Sequence, residues 1–193
     1  MNEKLAKAYK KIEQQRLGIM AELAAYSHET INTPPAPGKW SIAQILTHLI
    51  LTEQGSLGYW SKKLQAPEKI PPVGFSAKVK YWLFTTYYKL GLTFIKFKAP
   101  TFSSQVPAET PLNELDANWK KLRQQLKKVA EETPIEVLNK GMLRHLIVGR
   151  IDMGRVIGFY HTHVNHHHKQ IRNILKKAQP EADRQPANEK VNN

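Results

Sequence analysis

The chain has 193 residues, of which 41% are hydrophobic, and this suffices for one domain with a single buried core. Basic residues outnumber acidic ones by 29 to 16, and the net charge of +13 indicates attraction to phosphates, anionic lipids or acidic ligands. The absence of cysteine excludes disulfides, thiolate metal sites and a cysteine nucleophile, so any metal must be held by histidine, aspartate or glutamate.

The first predicted helix spans residues 3–27, where apolar residues recur at helical spacing between lysines and glutamates. Charges throughout this segment leave no apolar region for a secretory signal, and no stretch of the sequence approaches the roughly 18 apolar residues of a membrane span. We therefore expect a soluble, cytoplasmic protein. The apolar positions of this helix are Leu5, Tyr9, Ile12, Leu17, Met20 and Leu23.

A second helix is predicted between two proline-rich breaks, at residues 32–39 and 66–74. Ser41 is expected to cap its first turn, and Gln44 completes the pattern of a capping box. Apolar residues at helical spacing predict that the helix continues to about Leu64.

Residues 75–98 form a basic aromatic segment that contains no acidic residue. We expect a helix over about residues 76–90 and then an irregular stretch; a strand is the alternative, since Tyr, Trp, Phe and Thr favour strands. Between residues 62 and 98, eight lysines stand against Glu68 alone. Such a segment can bind nucleic acid or lie on a membrane surface. We favour a connector whose aromatics pack on the protein while its lysines reach solvent, where they could attract an anionic substrate.

Two further helices complete the pattern. Pro111 is expected at the first position of a helix that spans residues 111–132. A connection over residues 134–150 leads to the last helix, which Asp152 is expected to cap and which runs to Lys177.

These elements predict an all-α four-helix bundle with long crossover connections, formed as one domain by residues 1–178. Both crossovers are long, so a simple up-down-up-down order is not required. Residues 179–193 have almost no apolar content, and we expect this tail to be disordered.

Five of the eight histidines lie between residues 161 and 168, within the last predicted helix. The apolar stripe of that helix, extended through this region, contains His163 and His167, whose i, i+4 spacing lets two imidazoles chelate one divalent metal. The alternative is a pair of solvated or core histidines. His48, on the second helix, is a candidate third ligand, although alone it would be a core or boundary histidine. Together the three would form an open site with positions left for water or substrate.

The other histidines give weaker signals. His166 borders the same face and could replace a ligand or support one. His161 and His168 point away from the stripe, and we expect them to be solvated. His145 could line a pocket rim or have a structural role in its connection, and His28 shows no signal.

Short motifs occur around these histidines. Residues 38–49 (GKWSIAQILTHL) combine a Trp-Ser helix start with a His-Leu pair, and residues 163–171 (HVNHHHKQI) fit the pattern H-x-x-x-H-x-x-Q-I. Residues 145–150 (HLIVGR) fit His-x-x-x-Gly, and residues 98–100 (KAP) form a Lys-Ala-Pro turn. In this order and spacing, over about residues 5–178, the motifs resemble those of the DinB/YfiT-like superfamily.

The resemblance implies an up-down-down-up bundle with a metal at one end. It implies His48, His163 and His167 as ligands of zinc, nickel or iron, with His166 as a competitor because this histidine cluster is denser than usual. The superfamily includes hydrolase-like proteins and transferases that join a low-molecular-weight thiol to an electrophile, and its members often form homodimers.

A divalent ion held by three neutral imidazoles keeps its full positive charge, so it can lower the pKa of water to about 7 or bind a thiolate. We therefore predict a metal-dependent enzyme, either a hydrolase or a thiol S-transferase, that acts on a small molecule, with an anionic substrate suiting the basic segment. Because the chain lacks cysteine, the thiol would be a diffusible cosubstrate.

Glu53 and Gln170 are the candidates for catalytic roles. Glu53 lies five residues after His48, and the competing interpretation is a charge on the helix surface. Gln170 follows His167 by three residues and could orient a ligand or substrate, or form an interhelical hydrogen bond. Tyr160 could be pocket wall or simply core.

Two other functions are open at this level. The chain could be a non-enzymatic binding protein that uses the basic aromatic segment on nucleic acid or an anionic membrane, although we expect no nucleic-acid partner. Alternatively, the bundle could keep a metal only for stability.

Overall fold

The computed structural model describes residues 3–89, 105–145 and 147–178. The predicted tail over residues 179–193 and the Lys-Ala-Pro turn at residues 98–100 lie outside the described residues, as does the end of the basic aromatic segment.

Four long helices form the bundle, which confirms the all-α fold. The shorter elements are three helices, one 3-10 turn and a two-stranded antiparallel hairpin within the described ranges. The long helices are α1 (Glu3–Leu23), α3 (Ile42–Lys63), α5 (Leu112–Glu132) and α7 (Met153–Ala178). The others are α2 (His28–Asn32), the turn Pro67–Lys69, α4 (Phe75–Lys89), α6 (Ile135–Leu138), β1 (Leu143–His145) and β2 (Gly149–Ile151).

Side-chain contacts give the directions of α1, α5 and α7. Tyr9 donates a hydrogen bond of 2.9 Å to the Arg123 carbonyl while Arg16 pairs with Asp116, so α1 and α5 run antiparallel. Gln15 donates to the side chain of α7 residue Asn165 at 2.6 Å. Farther along both helices, a glutamate of α1 pairs with an arginine of α7 at 3.1 Å, so α1 and α7 run parallel.

The direction of α3 completes the order. Gln44 donates to the Pro107 carbonyl at 3.5 Å, just before α5, and Glu53 pairs with Arg123 at 2.7 Å within it, so α3 and α5 run parallel. The four helices therefore run up, down, down and up, as the resemblance implies. Because α1 packs on α5 and α7, and α3 packs on the same two helices, they enclose one apolar core.

The capping box at the start of α3 is confirmed. The Ser41 hydroxyl accepts a 3.2 Å hydrogen bond from the Gln44 backbone N–H, and the Gln44 side chain accepts one of 3.0 Å from the Ser41 N–H. Leu64 ends the helix, close to the expected residue. Because this cap fixes where the helix begins, it also fixes His48 in the second turn.

The first helix differs from its prediction. It ends at Leu23 rather than at residue 27, and Ser27 caps the separate short helix α2. Leu17 was expected on the buried face, yet it is 52% exposed. Arg16 is buried beside it, because its guanidinium is held by Glu13 and an aspartate of α5.

The helical interpretation of the basic aromatic segment is confirmed for Phe75–Lys89, and the strand alternative is wrong there. Ala77 is buried, and Tyr81 and Phe84 pack against the core. Gly158 of α7 permits this contact, since a Cβ at that position would clash with the Tyr81 hydroxyl.

The connections hold more structure than was expected. Helix α5 begins at Leu112, so Pro111 precedes the helix instead of occupying its first position. The stretch after α5 contains α6 and a hairpin, in which His145 pairs with Gly149. Gly149 has a φ of +86°, a conformation that favours glycine. Asp152 caps α7 as predicted, because its side chain accepts from the backbone N–H three residues later.

None of the helices in the described ranges combines the length and apolarity that crossing a bilayer requires.

Candidate metal centre

His48, His163 and His167 meet between α3 and α7. The Nε2 atom of His163 lies 3.4 Å from Nε2 of His48 and 3.1 Å from Nε2 of His167. One ring nitrogen from each of the three lies within 4.8 Å of the other two, and no other such group of three metal-ligating side chains forms within the described ranges. We call this cluster the histidine triad.

Three features bring the triad together. His48 is fixed in the second turn of α3 by the capping box, and the antiparallel packing of α3 on α7 sets it opposite the middle of α7. His163 and His167 are one turn apart on α7, so their side chains point to the same side. The triad therefore depends on one helix start and one interhelical contact.

The separations between ring nitrogens suit a divalent ion. Two nitrogens that each bind zinc at about 2.05 Å, with a tetrahedral angle between them, are about 3.3 Å apart. The Nε2 separations at His163, 3.4 and 3.1 Å, are close to that value. The three histidines could therefore hold a metal ion without a large rearrangement of the helices.

All three imidazoles favour the neutral form that metals bind. Burial lowers the pKa of His48, and it lowers the pKa of His167 to about 4. The pKa of His163 is well below its usual value, chiefly through burial and then through the neighbouring imidazoles. At neutral pH each ring consequently offers a lone pair rather than a second proton.

Gln170 orients one member of the triad. Its side-chain oxygen lies 3.0 Å from Nδ1 of His167, so Nδ1 carries the proton and donates it, which leaves Nε2 free to bind a metal. This contact supports the interpretation in which Gln170 orients a ligand. His48 differs, because its buried Nδ1 has no hydrogen-bond partner among the described residues.

This contact predicts the effect of a Gln170→Ala substitution. Removing the acceptor frees the His167 ring to rotate and to change tautomer, so we expect the dissociation constant for the metal to rise about 10- to 100-fold. Competition with a chromogenic chelator measures this dissociation constant. Gln170→Glu keeps an acceptor oxygen and should retain affinity; an equal loss in both variants would contradict the orienting role.

Aromatic side chains enclose the triad on two sides. The Trp40 ring lies 5.1 Å from the His48 ring, and Phe159 stacks on His163 at 5.2 Å with an interplanar angle of 13°. Sequence reasoning missed both roles. Phe159 precedes His163 by four residues, so helical spacing could have revealed it, whereas Trp40 lies before α3, where no periodicity applies.

His145 and His166 lie near the triad but outside it. The Nδ1 atom of His145 accepts backbone N–H groups of Ile147 and Val148 at 3.2 and 3.4 Å, which supports the structural interpretation. Burial lowers the pKa of His145 to about 4. The His166 ring contacts the His167 ring at 5.1 Å, beside the triad rather than within it.

The expectation that His161 and His168 are solvated is wrong. His161 Nδ1 lies 3.2 Å from the side-chain oxygen of Gln15, and His168 Nε2 lies 2.7 Å from a Glu22 carboxylate oxygen. Both partners belong to α1. Since α7 packs against α1 as well as α3, its inward surface is wider than one apolar stripe suggests.

Glu53 is neither a surface charge nor part of the triad. Its carboxylate is buried and accepts hydrogen bonds from Arg123 at 2.7 Å and from the Trp119 indole at 3.2 Å. At five residues after His48, its side chain is turned by about 140° around the helix axis, towards α5. Tyr160 is buried in the core, where burial raises the pKa of its hydroxyl.

Comparison with known proteins identifies one family. The sequence model of the DinB superfamily matches residues 11–171, a stretch that contains the whole triad. No match was found among the curated proteins or among the solved structures.

Proposed function

Since this chain belongs to the DinB superfamily, we propose that His48, His163 and His167 hold a divalent metal ion and that the protein is a metal-dependent enzyme for a small molecule. The observation that carries the proposal is the convergence of three neutral imidazole nitrogens with no carboxylate in the group. Zinc, nickel and iron all bind imidazole, so the ligands do not select among them.

The donor set favours chemistry over a purely structural role. Structural zinc sites have four protein ligands, whereas catalytic sites commonly have three and keep a position open. When bound, a divalent ion with three neutral ligands supplies Lewis-acid chemistry, which acidifies a water molecule or stabilises a thiolate. Gln170 holds one ring in its ligating tautomer, and Trp40 and Phe159 restrict the movement of the other two.

Two reactions suit this arrangement. In hydrolysis, a water molecule cleaves one bond of the substrate. One fragment gains the hydroxyl group of the water, and the other gains its remaining proton. In S-transfer, the sulfur of a small thiol bonds to an electrophilic carbon, and the leaving group departs with its electron pair and takes up the thiol proton. Because the chain contains no cysteine, the sulfur must come from a diffusible thiol.

Cobalt substitution tests the open position and separates the two reactions. Cobalt-loaded protein is expected to develop a near-ultraviolet sulfur-to-cobalt band when glutathione is added, but not when S-methylglutathione is added. A spectral response to azide with none to thiols would favour hydrolysis. If neither thiols nor azide change the spectrum, the position is closed and the enzyme proposal fails.

A metal kept for stability alone makes a different prediction. The cobalt spectrum would then show a fourth protein ligand and no response to thiols or azide, whereas chelation would lower the melting temperature in either case. Single-domain organisation over residues 1–178, a cytoplasmic location and a homodimer remain predictions from the sequence.

A further inference from the structure

One face of α4 presents a row of exposed apolar side chains. Phe75 is 82% exposed, Val79 39%, Trp82 64% and Leu83 54%. Their spacing is i, i+4, i+7 and i+8, so at 3.6 residues per turn they share an arc of about 100°. We call these four residues the α4 stripe. Exposed apolar residues that form one continuous row indicate an interaction surface.

The other side of α4 fixes the orientation of the stripe. Ala77 is buried, Tyr81 packs on α7 where Gly158 leaves room for it, and Phe84 contacts His145 at 5.1 Å between ring centroids. These residues lie on the opposite side of the helix from the stripe. Because that side is packed on the bundle, α4 cannot rotate to bury the stripe, which therefore points outward in the folded protein.

Positive charge surrounds the stripe. Lys78 and Lys80 are exposed on its two flanks, and α4 has no aspartate or glutamate. Beside the stripe, a groove of about 640 Å³ between α4 and the first turns of α1 and α7 is lined by Lys4, Lys78 and Trp82 among others. The acidic residue of this groove, Asp152, is paired with Arg155. An anionic partner would thus meet little repulsion here.

We propose that α4 is a membrane-surface helix, which docks the protein on bilayers that contain anionic lipid. An exposed helix face with an apolar centre, basic flanks and an exposed tryptophan has the form of a helix that lies in the headgroup region. The apolar residues enter the boundary of the acyl chains, while the lysines extend to lipid phosphates.

Other occupants fit the charges and the shape less well. A second copy of this chain docked through the same stripe would bring Lys78 and Lys80 against themselves. Nucleic acid would stack on aromatic rings and contact lysines, but Val79 and Leu83 would remain uncovered. A lipid surface accommodates both the aliphatic and the basic residues. This proposal does not depend on the metal centre.

Vesicle cosedimentation tests the docking. The full-length protein is expected to bind vesicles of equal parts phosphatidylcholine and phosphatidylglycerol, and to bind pure phosphatidylcholine at least about 10-fold more weakly. Phe75→Ser with Leu83→Ser should lower partitioning at least about 10-fold. The control, Leu17→Ser with Ile135→Ser, removes two exposed apolar residues elsewhere, at 52% and 57%, and should bind normally.

A second pair of variants isolates the charge. Lys78→Gln with Lys80→Gln should lower binding to the anionic vesicles about 10-fold or more, and added salt should have the same effect. Lys120→Gln with Lys121→Gln removes the same charge from the exposed surface of α5 and should change binding far less. Equal losses in the two pairs would show attraction by net charge alone and would overturn the proposal.

Fluorescence locates the contact. Trp60 and Trp119 are buried and Trp40 is half-buried, so brominated lipid is expected to quench Trp82, and Trp82→Phe should abolish that quenching. Three further results would overturn the proposal. The first is that the protein does not bind anionic vesicles at low salt. The second is that the Phe75→Ser, Leu83→Ser variant binds them as well as the wild type does. The third is that the wild-type protein forms a dimer without lipid and this variant is a monomer. Circular dichroism verifies that each variant is folded.

Discussion

His163→Ala is expected to abolish stoichiometric metal binding, while the purified wild-type protein carries about one divalent ion per chain. His163 is the central ligand, because its Nε2 atom is the one that lies close to the Nε2 atoms of both His48 and His167. Its loss would leave two imidazoles from different helices, which bind a metal far more weakly. Elemental analysis after gel filtration measures the content and also identifies the metal.

Two substitutions on the same helix serve as controls. His161→Ala removes an imidazole that contacts Gln15 rather than the triad and should retain the metal. His166→Ala should also retain it, and loss of metal in this variant alone would assign His166 as a ligand. A wild-type protein without stoichiometric metal, and no change in His163→Ala, would remove the basis of the proposed function.

Glu53→Ala is expected to lower the free energy of unfolding by about 3–5 kcal/mol. The substitution leaves the Arg123 guanidinium, which is fully buried, without its counter-ion, and leaves the Trp119 indole without an acceptor. Urea denaturation followed by circular dichroism measures the change. The exposed pair of Lys128 and Glu132 is the control, since Glu132→Ala should cost at most about 1 kcal/mol.

A double variant separates a structural role from a catalytic one. Replacing Glu53 and Arg123 together by leucine and methionine removes both charges and should recover most of the lost stability. Once a substrate is known, this variant should retain activity if the ion pair only supports the core. Restored stability with abolished activity would instead assign a catalytic role to the carboxylate.

The sequence predicted those parts of the site that follow from spacing within one element. His163 and His167 are four residues apart on a helix, so their proximity was predicted from spacing alone. The capping box of Ser41 and Gln44 is a local motif and was predicted in the same way. His48 was predicted as a candidate third ligand because it lies on the apolar side of its own helix. The direction in which α3 crosses α7, which brings the three together, was implied only by the family resemblance.

The features that were missed depend on contacts between elements. Glu53 was interpreted either as a candidate catalytic residue or as a surface charge, because its partner Arg123 is 70 residues away in the sequence, on another helix. His161 and His168 were expected in solvent because a single apolar stripe does not show that α7 has two neighbouring helices. The hairpin was not predicted because strands of three residues are too short to show an alternation of apolar and polar residues.

The span of the triad along the chain has a consequence for unfolding. His48 and His163 are separated by 115 residues, so an ion bound to both would act as a removable cross-link that closes a long loop. In the unfolded chain such a loop has fewer conformations than the open chain, and the loop contains both α4 and α5. A bound metal would thereby raise the free energy of unfolding, whichever reaction the protein performs.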